Sequence, residues 1–274
     1  MKITPKNPIL LQFLNIFVLV LVLVMNTAAV TLPLNGISTE EISDALPSYF
    51  TPAGYTFAIW SLIYTALIAF AIYQARPIER KRPFLPKIGW LFIVNGIFNS
   101  AWIVAWHYGY YTLSVGIMLV ILATLIAIYL RLNIGHPDTS LTWQDKLFYQ
   151  VPFSLYLGWI TVATIANIAS VVNYLGWNGF GIAEPTWAMI MIGVAVIVVA
   201  LLLINRRNLA YAGVLVWALF GIRASAAEAG EATLALVAVV AASIIIGLAI
   251  LGYYRTRDQL NQSKHETSSL SQAV

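Results

Sequence analysis

The chain has 274 residues, of which 60% are hydrophobic and only 9% charged, whereas an ordinary soluble domain is about 25% charged. So little charge cannot cover a water-facing surface, which excludes a soluble globular protein and points to lipid as the main solvent. The net charge is +4, but its 15 Lys and Arg are scattered through short gaps between apolar runs, which excludes a nucleic-acid-binding face, and the absence of Cys excludes disulfides, thiolate catalysis and Cys-ligated metal.

A membrane-spanning helix needs about 20 mostly apolar residues at about 1.5 Å rise each. Eight such runs occur in chain order, at 9–30, 54–75, 88–107, 110–130, 147–173, 187–204, 209–227 and 232–254. The first run follows Lys2 and Lys6 and has Ala28 and Ala29 near its end, as a signal peptide would. It exceeds the usual h-region of about 7–15 residues, so it reads as a retained span. Within it, 18–24 is rich in Val and Leu and would suit a strand in water, but a backbone in lipid must satisfy its own hydrogen bonds, which selects a helix. The gap 31–53 is the longest between spans; it either folds over the mouth of the bundle or is a solvated connector. The third and fourth runs meet at Tyr108–Gly109 and should form a tight antiparallel hairpin. The seventh run is the weakest, because Arg223 near its end has to snorkel. The fold expected is therefore all-α, a polytopic transmembrane bundle of about eight spans, with a polar, disordered cytoplasmic tail at 255–274.

Charge placement supports the same count. With the N-terminus inside and sides alternating, 14 of the 15 Lys and Arg fall inside and only Arg223 falls outside. Glu40, Glu41, Asp44, Glu184, Glu228 and Glu231 fall outside. This agrees with the positive-inside rule and puts both termini in the cytoplasm, in a cytoplasmic (inner) membrane.

No Asp, Glu, Lys or Arg lies near the middle of a span, which weakens an ion-coupled transporter. The mid-span polar groups are amides and hydroxyls: Asn95 and Asn99 on the third run, and Thr161, Thr164 and Asn167 on the fifth. They serve either as interhelical hydrogen bonds or as the polar contacts of a ligand in an apolar cavity. Trp90, Trp143, Trp177 and Trp187 fall near span ends, as an interfacial belt would. Trp60, Trp102 and Trp159 lie deeper, where an indole N–H needs a partner. Asn95, Asn99, Trp102 and Trp106 follow 4-3-4 spacing and read as one stripe, suited to a flat aromatic ligand or to packing. His107, His136 and His265 match no metal spacing and read as exposed or interfacial. No phosphate-binding loop, nucleophile elbow or paired intramembrane carboxylate occurs, so an enzyme is not expected.

Three segments carry a resemblance. "YFTPAGYTFAIWSLIY" (49–64), "NSAW" (99–102) and "WITVATIAN" (159–167) resemble the motifs of the tryptophan-rich sensory protein family, also called the translocator-protein or peripheral-benzodiazepine-receptor-related family. Each motif is weak alone; their order and helix positions agree. That family has five helices, an aromatic-Pro-Pro-x-Trp-x-Phe segment leading into helix two, Asn-x-x-Trp on helix three, and Trp, Ala-Thr and Asn on helix five. Here the Pro-Pro pair reads Pro52-Ala53, the following Trp reads Tyr55, and the spacing to Trp60 is one residue short. Residues 166–172 lack the Tyr and basic residue of the family's sterol motif, so no sterol site is expected. The resemblance covers about residues 9–175. It implies a five-helix core at 1–175, three further helices at 176–254, and binding of porphyrin-like or other flat apolar ligands within the core. The ligand-binding residues it implies are Pro52, Tyr55, Phe57, Trp60, Asn99, Trp102, Trp159 and Asn167. The three tryptophans would stack on the ligand, and the two asparagines would orient its polar rim. No resident cofactor or metal is implied; the expected partners are membrane lipid and the hydrophobic ligand, with no nucleic acid. Small residues Ala210, Gly213, Ala218 and Gly221 suit close packing, within the chain or in a homodimer. A small-molecule permease is the alternative function, and a purely structural membrane subunit is a third.

Overall fold

The computed structural model describes residues 7–32, 34–46, 48–136, 138 and 140–272, without the side chains of 253 and 255–272. The described residues form eleven helical segments joined by short turns: α1 (Pro8–Thr31), α2 (Thr39–Ala45), α3 (Ile59–Gln74), α4 (Phe84–Ile88), α5 (Leu91–His107), α6 (Tyr111–Arg131), α7 (Trp143–Asp145), α8 (Val151–Tyr174), α9 (Glu184–Arg206), α10 (Leu209–Glu228) and α11 (Ala232–Gln272). Lys2 and Lys6, and the side chains of the tail expected to be disordered, lie outside the described residues.

Seven stretches are long and apolar enough to cross a bilayer: α1, Gly54–Gln74 (α3 with the turn that leads into it), α6, Trp143–Tyr174 (α7 through α8), α9, α10 and Ala232–Gly252 of α11. The expected third span, α5, has 17 residues and is about 25 Å long, shorter than a hydrocarbon core of about 30 Å. It nevertheless runs the length of the bundle. Its start follows Phe84, whose ring stacks on Tyr149 at 4.2 Å, and its last residue, His107, accepts a backbone hydrogen bond from Asn35 at the opposite end. The short α4 and the turn at Gly89 precede it and complete the crossing.

Local sequence sets the helix ends. Asn7 caps α1 by accepting from the Ile9 and Leu10 amides, with Pro8 in the first turn. The α5–α6 hairpin closes through Gly109 at φ 76°, a conformation that costs glycine no Cβ clash, and the Tyr110 amide reaches back to the Ala105 carbonyl. Thr142 and Asp145 form a capping box that starts α7. A π turn over Lys146–Gln150 leads into α8; Pro152 follows it and has no amide hydrogen to donate.

α8 is the axis: 61% of its apolar window is buried, against 28% for α9 and for α11. It packs on α3, α6 and α10, while α9 and α11 pack on each other and complete the far side. One continuous core joins Phe70, Tyr149 and Trp159 to Tyr211, Ile222 and Leu234, so the last three spans share the interior of the first five. In α10, Ala218 and Gly221 are buried within the chain while Gly213 faces open space.

The loops sort to two ends in the same grouping that the charges predict. At one end Gln12 bonds to the Gln74 and Arg76 carbonyls, Arg82 pairs with Asp145, and Arg206 donates to the Ile134 carbonyl. At the other end α2 covers the α5–α6 hairpin. The first end holds a buried ionic cluster that the sequence reading missed. The Asp145 and Glu79 side chains are fully buried. Arg82 binds Asp145 with both guanidinium nitrogens, the second at 2.7 Å. Tyr73 donates to Asp145 at 3.0 Å, and Tyr149 donates to Glu79 at 2.9 Å, with Arg76 also on Glu79 at 2.7 Å.

Candidate functional site

The segment between α2 and α3 is held from both sides. The Thr51 amide bonds to the Ser48 carbonyl and the Thr56 amide to the Ala53 carbonyl, which coils the chain into α3. From α10, the Gly221 carbonyl accepts from the Ala53 amide at 3.1 Å, and the Trp217 indole donates to the Thr56 carbonyl at 2.9 Å. A side chain at Gly221 would collide with Thr56 Oγ1 and Pro52 Cβ, so glycine is required for this approach. The Thr56 hydroxyl is fully buried and has no partner.

A small cavity of about 50 Å³ lies behind this segment. Pro52 and Phe57 line it from the α2–α3 connection, Trp102 and Trp106 from α5, and Trp159, Ala163, Ala166, Asn167 and Ser170 from α8. Thr39 and Ser43 of α2 close it from the outside. The long loop therefore folds over the mouth. It does so because Ser38 and Glu41 form a capping box that starts α2, and because Ile42 and Leu46 pack on Trp106 and Val171.

Five of the eight expected residues meet at this cavity: Pro52, Phe57, Trp102, Trp159 and Asn167. Phe57 meets Trp159 edge-on at 5.8 Å. Trp102 stacks on Trp106 at 5.4 Å, and its indole N–H faces Asn167 Oδ1 at 3.4 Å. Asn167 donates onward to Ser114 at 3.1 Å. Trp159 is 2% exposed, and its indole N–H has no partner.

The structure places Tyr55, Trp60 and Asn99 away from the cavity wall. Tyr55 is half exposed, with its ring edge-on to Trp217 at 5.6 Å. Trp60 stacks on Tyr64 at 5.2 Å and stands edge-on to Trp159 at 6.2 Å. Asn99 donates to the Tyr156 hydroxyl at 2.9 Å and accepts from Asn26 at 3.0 Å. The α5 stripe in fact bonds to four different helices instead of to one site. Asn95 bonds the Ile121 carbonyl and Thr124 on α6, Asn99 bonds α8 and α1, Trp102 bonds α8, and Trp106 donates to the Thr39 carbonyl at 3.4 Å. Thr161 and Thr164 bond carbonyls of their own helix, and Thr161 also accepts from Tyr211 at 3.0 Å.

His107 corrects the expectation of an exposed or interfacial ring. It is 2% exposed, with Nδ1 2.8 Å from the Ile103 carbonyl and Nε2 3.4 Å from Thr39 Oγ1, because α2 folds over the hairpin end that carries it. The sequence reading also left out α2 itself, although Ser38 and Glu41 stand at capping-box spacing. The α10 buttress had no local signal: Gly221 and Trp217 are distant in sequence and matter only through packing.

Among known proteins, the sequence profile described as "TSPO-like protein" matches residues 12–251. The match continues past α8 and takes in the three C-terminal spans. No curated protein and no solved structure matches the chain significantly. Such a match over most of the chain, on an all-helical bundle with a Trp-lined cavity, indicates an integral membrane protein of the ligand-binding, sensory kind: the chain belongs to the TSPO-like family.

Proposed function

We propose that the protein binds a flat, apolar ligand of the porphyrin type in the cavity between α2, α5 and α8, as a receptor or sensor without catalytic activity of its own. One observation carries the reading: indoles, a phenyl ring and Asn167 line one space, and one of the indoles, Trp159, is buried with its N–H unpartnered. A buried donor without a partner costs about 1–3 kcal/mol, which a ligand acceptor would relieve.

The cavity of about 50 Å³ is far below the roughly 300–1,000 Å³ of small-molecule pockets. Binding therefore requires α2 to lift away, since α2 is the short, removable wall and α5 and α8 are packed spans. The N- and C-termini lie on the cytoplasmic side of a cytoplasmic membrane, because the end that gathers Arg76, Arg82 and Arg206 is the basic one. Membrane lipid surrounds the bundle, and a homodimer would use the outer faces of the peripheral spans.

The test is a titration with protoporphyrin IX in detergent, read by quenching of indole fluorescence. The wild type should saturate, and the Trp102→Leu/Trp159→Leu double variant should bind about tenfold or more weakly, two aromatic contacts at about 0.5–1.5 kcal/mol each. Equal quenching midpoints for the two proteins would remove the ligand from this cavity.

A further inference from the structure

A second, larger cavity of about 900 Å³ opens between α8 and α9, outside the family cavity. α8 and α9 follow one another in the chain, but α9 packs on α11 and α10 instead of on α8, and this leaves a slot between them. The slot is graded in polarity. Its floor is formed by Ile165, Ile168 and Ala169 of α8 and Met191 of α9. Its mouth holds Trp177, Trp187 and the Glu184 carboxylate. Ile165 lies ten residues before Leu175 on one helix, so the floor is about 15 Å deeper than the mouth.

The mouth is built and aromatic. The Trp187 indole donates to the Gly179 carbonyl at 2.9 Å, which fixes its ring plane. Trp177 sits 5.6 Å from Trp187 and 5.2 Å from Phe180. Glu184 is three residues before Trp187 on α9 and shares its face. It is the one charged side chain among the residues that line the slot, and no Lys, Arg or His accompanies it. Indole faces beside a lone carboxylate favour a cation, and an ammonium group in particular. The apolar floor favours a hydrocarbon body.

We propose that this slot binds an amphiphile with an ammonium head group, the head between Trp177, Trp187 and Glu184 and the tail along α8 toward Ile165. The proposal is independent of the porphyrin reading, because no residue is shared between the two cavities. An ammonium head is found both on free alkylamines and on ethanolamine or choline lipids.

The experiment uses the full chain in maltoside micelles and a tetradecyltrimethylammonium probe with a diazirine in its tail. Photolabelling should map to 165–172 and 188–191, and tetradecylammonium should compete while tetradecyl sulfate does not. Glu184 is exposed, so its variants should fold. Glu184→Gln should weaken labelling about three- to tenfold, as expected for loss of one partly exposed charge contact. Glu184→Lys should reverse the head-group preference. Lipid extracted from the purified wild type identifies the source: enrichment of ethanolamine or choline lipids that is lost in Glu184→Lys assigns a membrane lipid, and probe binding without enrichment assigns a free amphiphile. Labelling spread evenly over the outer helix faces, equal competition by the sulfate, or labelling unchanged in Glu184→Lys would overturn the proposal.

Discussion

At the scale of single residues, two asparagines of similar burial have different surroundings. Asn99 is saturated by Tyr156 and Asn26. Asn167 lines the cavity and meets Trp102. Asn99→Leu is expected to lower thermal stability by about 1–3 kcal/mol, because it strands the buried Tyr156 hydroxyl and removes one partner of the half-buried Asn26 amide, while leaving porphyrin affinity close to wild type. Asn167→Leu is expected to weaken affinity severalfold. Thermal unfolding and ligand titration of the two variants, side by side, check the division; a larger affinity loss in Asn99→Leu would reverse it. The family motifs singled out Trp102 and Asn167 one by one, and only the structure shows that they bond to each other. The sequence did not show where Asn99 points. Four residues on one stripe of α5 meet α6, α1, α8 and α2 in turn, and periodicity defines a face without naming what lies opposite it.

At the scale of elements, the covering helix α2 depends on its first turn. The Ser38 amide donates to the Glu41 carboxylate at 2.6 Å while the Ser38 hydroxyl accepts from the Glu41 amide, and the bonding to Ser38 holds the Glu41 pKa below the ordinary Glu value. A carboxylate whose pKa is lower in the folded state adds stability above its unfolded pKa of about 4.3, and that stability is lost as pH falls through the lower folded value. Protection of the α2 amides, relative to intrinsic exchange at each pH, should therefore fall below about pH 4 in the wild type and change little with pH in Glu41→Gln, which retains the capping geometry without the titration. An identical acid response in both proteins would contradict this role for Glu41. At the opposite end of the bundle, Arg82 spans Asp145 with two nitrogens. Arg82→Ala should cost about 3–5 kcal/mol by leaving a buried carboxylate uncompensated, and Arg82→Lys should restore little of it, because an ammonium cannot match the fork. Full rescue by Lys, measured by thermal unfolding, would reduce the contact to simple charge.

The spans themselves were legible from composition and length, and so was the tight turn at Gly109. The ionic cluster was not. Glu79 and Asp145 lie in gaps between apolar runs, where a charged residue reads as solvated. Only the approach of α7 to the end of α3 buries them. The same holds for the 17-residue α5: a count of apolar residues defines a span, but α4 and the Gly89 turn that lengthen the crossing are set by contacts with α1 and α6.

At the scale of the molecule, the three C-terminal spans are structural partners of the first five. α10 grips the Pro52–Phe57 segment through Gly221 and Trp217, and the family profile runs through them to residue 251. That dependence was invisible in the sequence, where the motifs end near Asn167. The bundle interior carries amides and indoles that bond to each other, and α2 lines the small Trp-walled cavity from the outside. Under the function proposed above, the ligand enters beneath α2. The chain has no native cysteine, so a lock can be built cleanly: Ser43→Cys on α2 with Ser170→Cys on α8, both at the same cavity. With the cross-link confirmed by mass, protoporphyrin binding should be lost under oxidising conditions and return on reduction. Undiminished binding to the cross-linked protein would show that the ligand does not pass beneath α2.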